Sequence, residues 1–211
     1  MSQASFATLH HAPLRYLALG DSYTIGEGVA DAGRWPLQLA AALRQDGLAI
    51  ADPQIVATTG WTTDELDADI DAAAPQGPFA LVTLLIGVNN QYRGRTLDEY
   101  REQFAALLQR AIGFADGQPR RVLAVSIPDW GVTPFAQPPA HDPARIGAQI
   151  DAFNAAAQAC CQARAVRFVD TTTASRDGSA AMLAADGLHP SAAMYARWTG
   201  LLLPAARDAL A

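Results

Sequence analysis

The chain has 211 residues, 15 Lys and Arg against 21 Asp and Glu, a net charge of −6, and a hydrophobic content of 50%. That length fits one domain whose core needs no disulfide or metal staple, and the apolar content excludes a disordered chain. The acidic balance excludes a general nucleic-acid binder, which needs clustered Lys and Arg, and no apolar run approaches the ~20 residues of a membrane span.

Residues 1–13 lack a basic stretch followed by an apolar one, so we expect a flexible N-terminal segment, no signal peptide and a cytoplasmic protein. His10-His11 reads as a loop pair rather than a metal tract. The run 14–19, ending at Gly20, reads as a buried strand. A helix follows over 34–45, with Trp35, Leu39, Ala42 and Leu43 near one face. A second strand is expected at 54–57, then a helix at 63–73 capped by Thr62 or Thr63. Residues 79–86 are almost continuously apolar, as in a central parallel strand covered on both faces. The helix over 97–114 starts with Thr96 and Glu99 in capping-box spacing. A fourth strand at 121–126 leads into 127–143, a segment with five prolines that reads as a long loop. The helix at 142–163 carries adjacent Cys160 and Cys161, too close for a relaxed disulfide and lacking zinc spacing, so at least one is expected to be buried. A fifth strand at 166–169 and a helix at 191–210, kinked or broken near Pro204, complete the chain.

Strands alternating with helices imply an α/β fold with a five-stranded parallel sheet between two helical layers. Ligands of such sheets bind beyond the carboxyl ends of the strands, where the strand order reverses. The segments placed there are Gly20-Asp21-Ser22-Tyr23, Thr58-Thr59-Gly60-Trp61, Gly87-Val88-Asn89-Asn90 and Pro128-Asp129-Trp130. Asp186-Gly187-Leu188-His189-Pro190 precedes the last helix, and Pro190 suits its first position. A serine hydroxyl is a poor nucleophile without an adjacent base. His189 would supply that base, and Asp186 lies close enough in sequence to hold its ring. Donors for a developing oxyanion are the Ser22 N–H, the Gly60 N–H and the Asn89 amide. Read singly, Gly60 is equally a turn glycine and Asn89 a loop-capping amide.

These blocks, in this order, resemble the SGNH hydrolases, also called the GDSL family. The resemblance spans Gly20 to His189 and treats 1–211 as one domain. It implies a three-layer α/β/α flavodoxin-like fold, with Ser22 as nucleophile, His189 as base and Asp186 as its support. It also implies an oxyanion hole of Ser22, Gly60 and Asn89, and neither metal nor organic cofactor. Two departures stand out: Tyr23 replaces the leucine of the family name, and Asn90 replaces the usual aspartate, removing a charge from the loop.

Tyr23, Trp61, Tyr92 and Trp130 follow strand ends and are expected to line a substrate pocket, with the Pro-rich loop as one wall. Arg93 and Arg95 read as solvated loop charges rather than binders of an anionic leaving group. The expected activity is hydrolysis of small acyl esters, short chains favoured. Acyl transfer, thioester cleavage and deacetylation of sugars would use the same residues. A reading from another class is a flavodoxin-like phosphate- or nucleotide-binding protein, with Thr24, Gly26 and Gly28 as the cradle.

Overall fold

The computed structural model describes residues 12–211. His10-His11 and most of the expected N-terminal segment lie outside these residues. Strands β1 (Tyr16–Gly20), β2 (Gln54–Ala57), β3 (Leu81–Leu85), β4 (Val122–Val125) and β5 (Arg167–Val169) form one all-parallel sheet in the order β2-β1-β3-β4-β5. The order reverses at β1, which has β2 on one side and β3 on the other. Every residue of β1, β3 and β4 is buried, which explains why these segments read as apolar runs and not as alternating ones.

The helices are α1 (Ser22–Ile25), α2 (Trp35–Gln45), α3 (Thr63–Ala73), α4 (Val88–Tyr92), α5 (Leu97–Phe114), α6 (Pro143–Gln162), α7 (Thr172–Ser175) and α8 (Ala192–Leu210). α2 packs on α8 to form one layer, and α5 packs on both α3 and α6 to form the other. Each long helix buries one stripe: in α5 it is Tyr100, Phe104, Leu107, Leu108, Ala111 and Ile112. Such a side chain gains ~1.5–3 kcal/mol on full burial, so these stripes hold the layers on the sheet. Trp35, wholly buried at the start of α2, donates from Nε1 to the Tyr23 carbonyl at 3.0 Å and so ties α1 to the packed layer.

Several expectations need correction. α8 is not broken at Pro204, which lies inside it, and it opens at Ala192: Ser191 caps it by accepting from the Met194 N–H at 3.3 Å, so Pro190 precedes the helix rather than opening it. Thr96 caps α5, but Glu99 turns to Arg95 at 2.7 Å, so the box is only half made. Asp142 is the cap of α6 rather than its first residue. The Pro-rich segment contains two 3₁₀ turns, Trp130–Val132 and Pro134–Ala136. Cys160 and Cys161 are both buried and free. No helix among the described residues is long and apolar enough to cross a membrane.

Candidate active site

The reversal of strand order places the ends of β1, β2 and β3 side by side, and a cavity of about 200 Å³ opens there. Ser22, Tyr23, Thr59, Gly60, Asn89 and His189 line it, with Val88, Tyr92, Trp130, Phe135 and Leu188 as apolar walls. Ser22 is the first residue of α1, a helix too short for the 3.6-residue period to show in sequence. Its N–H, at a helix start, has no carbonyl within that helix to meet. Asp21 caps α1 by accepting the Tyr23 N–H at 3.0 Å.

Gly60 sits at φ +89°, a left-handed conformation that a residue with a Cβ adopts only at a cost. Gly87, before α4, is tighter still: at φ +128° its absent Cβ would lie 2.5 Å from the Tyr100 ring. That close packing aims α4, and with it Asn89, at the end of β2. Asn89 Nδ2 donates to the Trp61 carbonyl at 2.9 Å, which uses one of its two N–H groups. Asn90 is wholly buried, accepting from the Thr63 N–H at 3.0 Å and donating to Thr63 Oγ1 at 2.7 Å. A carboxylate could only accept, so the amide in place of the usual aspartate anchors the loop without burying a charge.

His189 is 9% exposed, and its ring centroid lies 5.5 Å from that of Tyr23. Asp186 Oδ1 accepts the N–H groups of Leu188 and His189, both at 2.9 Å, and this turn delivers the ring to Oδ2. Nδ1 lies 2.7 Å from Oδ2. Facing a carboxylate, Nδ1 carries the proton, which leaves the Nε2 lone pair as the basic site. Burial pushes the Asp186 carboxyl upward, but the hydrogen bonds from the His189 ring and the two N–H groups outweigh it and hold the group below its ordinary range. Asp186 is therefore ionised at neutral pH. Ser22 and His189 share the cavity with no hydrogen bond between their side chains; such pairs commonly tighten only in the Michaelis complex.

Of the four aromatics named from the sequence, Tyr23, Tyr92 and Trp130 line this cavity and Trp61 does not. The Trp61 ring packs half-buried against the core, and only its carbonyl serves the site. Phe135 and Leu188 were not anticipated. Phe135 comes from the Pro-rich segment, which does form a wall. Arg93 and Arg95 lie at the surface and off the cavity wall, each in ion pairs: Arg93 with Glu65, Arg95 with Glu99 and Asp64. Thr24 is wholly buried and absent from the cavity wall, which argues against a phosphate cradle at α1. Among the described residues no group of three or more His, Cys, Asp and Glu could hold a metal ion.

Asp21 has a consequence for stability. Its Oδ2 is buried without a partner, and burial raises the carboxyl to about 7 against the opposing pull of N–H groups of Tyr23 and of Asp21 itself. The folded chain then binds this proton more tightly than the unfolded chain. This group's contribution is fully present below the ordinary carboxylate range and is lost as pH rises to about 7. Asp21→Asn keeps an acceptor for Tyr23 and removes the titration. Urea melts at pH 5 and pH 8 should show wild type losing ~3 kcal/mol more than the variant between the two values. Parallel losses in both proteins would contradict this.

A parallel α/β/α sandwich with serine, imidazole and carboxylate gathered where the strand order reverses is the architecture of the SGNH-type hydrolases. The chain belongs to the GDSL-like Lipase/Acylhydrolase family, whose model matches residues 18–197. Among solved structures it is similar to TesA, at 23% identity over 93% of this chain and 99% of that one, with a TM-score of 0.72. It is also similar to Axe2, an acetylxylan esterase from Geobacillus stearothermophilus, at 20% identity, 94% of each chain and a TM-score of 0.63. A third is the psychrotrophic esterase EstA from Pseudoalteromonas sp., at 16% identity over 93% and 96% of the two chains, TM-score 0.66. No curated protein matches the sequence significantly.

Proposed function

We propose that the chain is a cofactor-independent carboxylic-ester hydrolase that works through an acyl-enzyme on Ser22. The observation that carries this reading is the single cavity that gathers Ser22, His189, Gly60 and Asn89, with Asp186 2.7 Å behind the imidazole. Ser22 Oγ attacks the ester carbonyl carbon while His189 Nε2 takes its proton. The oxyanion accepts hydrogen bonds from the N–H groups of Ser22 and Gly60 and from the second N–H of Asn89. The intermediate collapses, the carbonyl re-forms, and the departing alkoxide takes the proton from His189. Water, deprotonated by the same nitrogen, then attacks the acyl-enzyme; the second intermediate collapses, Ser22 Oγ leaves and takes the proton back from His189, and the acid is released. Asp186 keeps the proton on Nδ1 throughout and stabilises the transient imidazolium.

The cavity, at about 200 Å³, lies below the ~300–1,000 Å³ of pockets that hold drug-sized ligands. Its walls of Tyr92, Trp130, Phe135 and Leu188 suit a short apolar acyl group. A p-nitrophenyl ester series tests this. kcat/KM should peak between acetate and butyrate and fall by about tenfold or more by octanoate, since a group that does not fit loses contacts and forces the walls apart. A rate that climbs steadily to long chains would overturn the short-acyl preference. Absence of hydrolysis across oxygen esters, with turnover of acyl thioesters or acetylated sugars, would move the substrate class while keeping the same residues.

A further inference from the structure

Arg93 stands outside the cavity yet touches the loop that forms it. It is the residue after α4, and its N–H donates to the Asn89 carbonyl at 2.9 Å. From there its side chain reaches across to the β2–α3 connection. Nη2 donates to the Gly60 carbonyl at 2.6 Å, and Nη1 to Glu65 Oε1 at 3.0 Å. The other Glu65 oxygen accepts the Thr62 N–H at 2.9 Å. Asn89 holds the Trp61 carbonyl, and Asn90 holds Thr63, as described above. Gly60 to Thr63 is thus gripped residue by residue from two elements, and Arg93 provides the grip on the residue nearest the cavity.

Gly60 needs that grip more than its neighbours do. It has no side chain to pack, sits at φ +89°, and belongs to a turn closed by a long 3.3 Å hydrogen bond from the Trp61 N–H to the Thr58 carbonyl. Its carbonyl has no other protein donor among the described residues. The Gly60 N–H and the Asn89 amide must converge on one oxygen atom within a few tenths of an ångström to stabilise a tetrahedral intermediate. A charge-assisted bond from the residue that follows Asn89's own helix fixes the one donor relative to the other.

We propose that Arg93 is a positioning residue for the oxyanion hole, locking the Gly60 peptide against α4 through its guanidinium fork. The proposal rests on the reading of Gly60 and Asn89 as oxyanion donors. It predicts that Arg93→Ala lowers kcat for p-nitrophenyl butyrate by about tenfold, less than the ~10²–10³ for loss of a direct donor, with KM changed by less than about threefold. Arg93→Lys recovers part of the loss, because an ammonium reaches the Gly60 carbonyl but cannot span both partners as the planar fork does. Arg95→Ala is the control: it also removes a surface cation with two carboxylate partners, but Arg95 touches neither Gly60 nor the cavity.

Hydrogen exchange read by mass spectrometry supplies a readout that needs no turnover. Peptides covering 58–63 should exchange several-fold faster in Arg93→Ala and unchanged in Arg95→Ala. Unchanged exchange in Arg93→Ala overturns the clamp whatever the enzyme hydrolyses. Faster exchange with kcat within twofold of wild type, or an equal fall in kcat for Arg95→Ala, overturns its role at the oxyanion hole. If wild type hydrolyses no ester, or Ser22→Ala is as active as wild type, the ester-hydrolase reading and the oxyanion role fail together, and the exchange data show separately whether the clamp exists.

Discussion

Ser22→Ala hydrolyses p-nitrophenyl butyrate at least about 10³-fold more slowly than wild type and melts at nearly the same temperature. The loss is large because oxyanion donors and substrate binding alone give only residual catalysis once the nucleophile is gone. The fold survives because Ser22 Oγ makes no hydrogen bond to the rest of the protein among the described residues. What holds α1 is the Asp21 cap and the bond from Trp35 to the Tyr23 carbonyl, neither of which uses the hydroxyl. Parallel circular dichroism melts and steady-state rates separate the two effects. A variant that retains a wild-type-like rate contradicts the assignment of the nucleophile. A variant that unfolds would instead mean that Ser22 is needed for the fold.

His189→Ala should lose activity by about 10⁴-fold or more, since in the proposed cycle the same nitrogen serves as base and then as acid. Removing the ring opens space beside Tyr23, at a cost of ~0.5–3 kcal/mol that a domain of this size tolerates. Asp186→Asn should be milder, because its side-chain oxygen still accepts the N–H groups of Leu188 and His189 and the ring keeps its place. What changes is the proton: an amide N–H facing Nδ1 favours the tautomer that puts the proton on Nε2 and blocks the base. The expected order of rates is wild type, then Asp186→Asn, then His189→Ala. Stopped-flow acylation rates give the comparison directly, and an Asp186→Asn variant slower than His189→Ala would contradict the roles assigned to them.

The layout of this site was legible in the sequence because parallel strands announce themselves. Leu81 to Leu85 reads as a strand on apolar continuity alone, and the residue after such a strand must emerge at one edge of the sheet. The same rule brings Ser22, Gly60 and Asn89 to one edge of the sheet from the sequence alone. It did not give side-chain direction. Trp61 follows Gly60 directly, but the left-handed glycine turns the next ring toward the core, whereas Phe135, in the middle of a Pro-rich loop, swings over the cavity. Helices α1, α4 and α7 were missed because four or five residues cannot display a 3.6-residue period. The partners of Asn90 and Arg93 lie some 27 and 33 positions away, so their roles could not be read from local pattern.

In the proposed mechanism Ser22 is a nucleophile activated by His189. The most direct measurement is covalent labelling with diisopropyl fluorophosphate, followed by intact-mass and peptide mapping. A nucleophilic Ser22 gives one phosphoryl adduct per chain, located on Ser22, formed orders of magnitude more slowly in His189→Ala, and absent from Ser22→Ala. A chain that hydrolyses esters yet carries its adduct on another residue, or none at all, would contradict it.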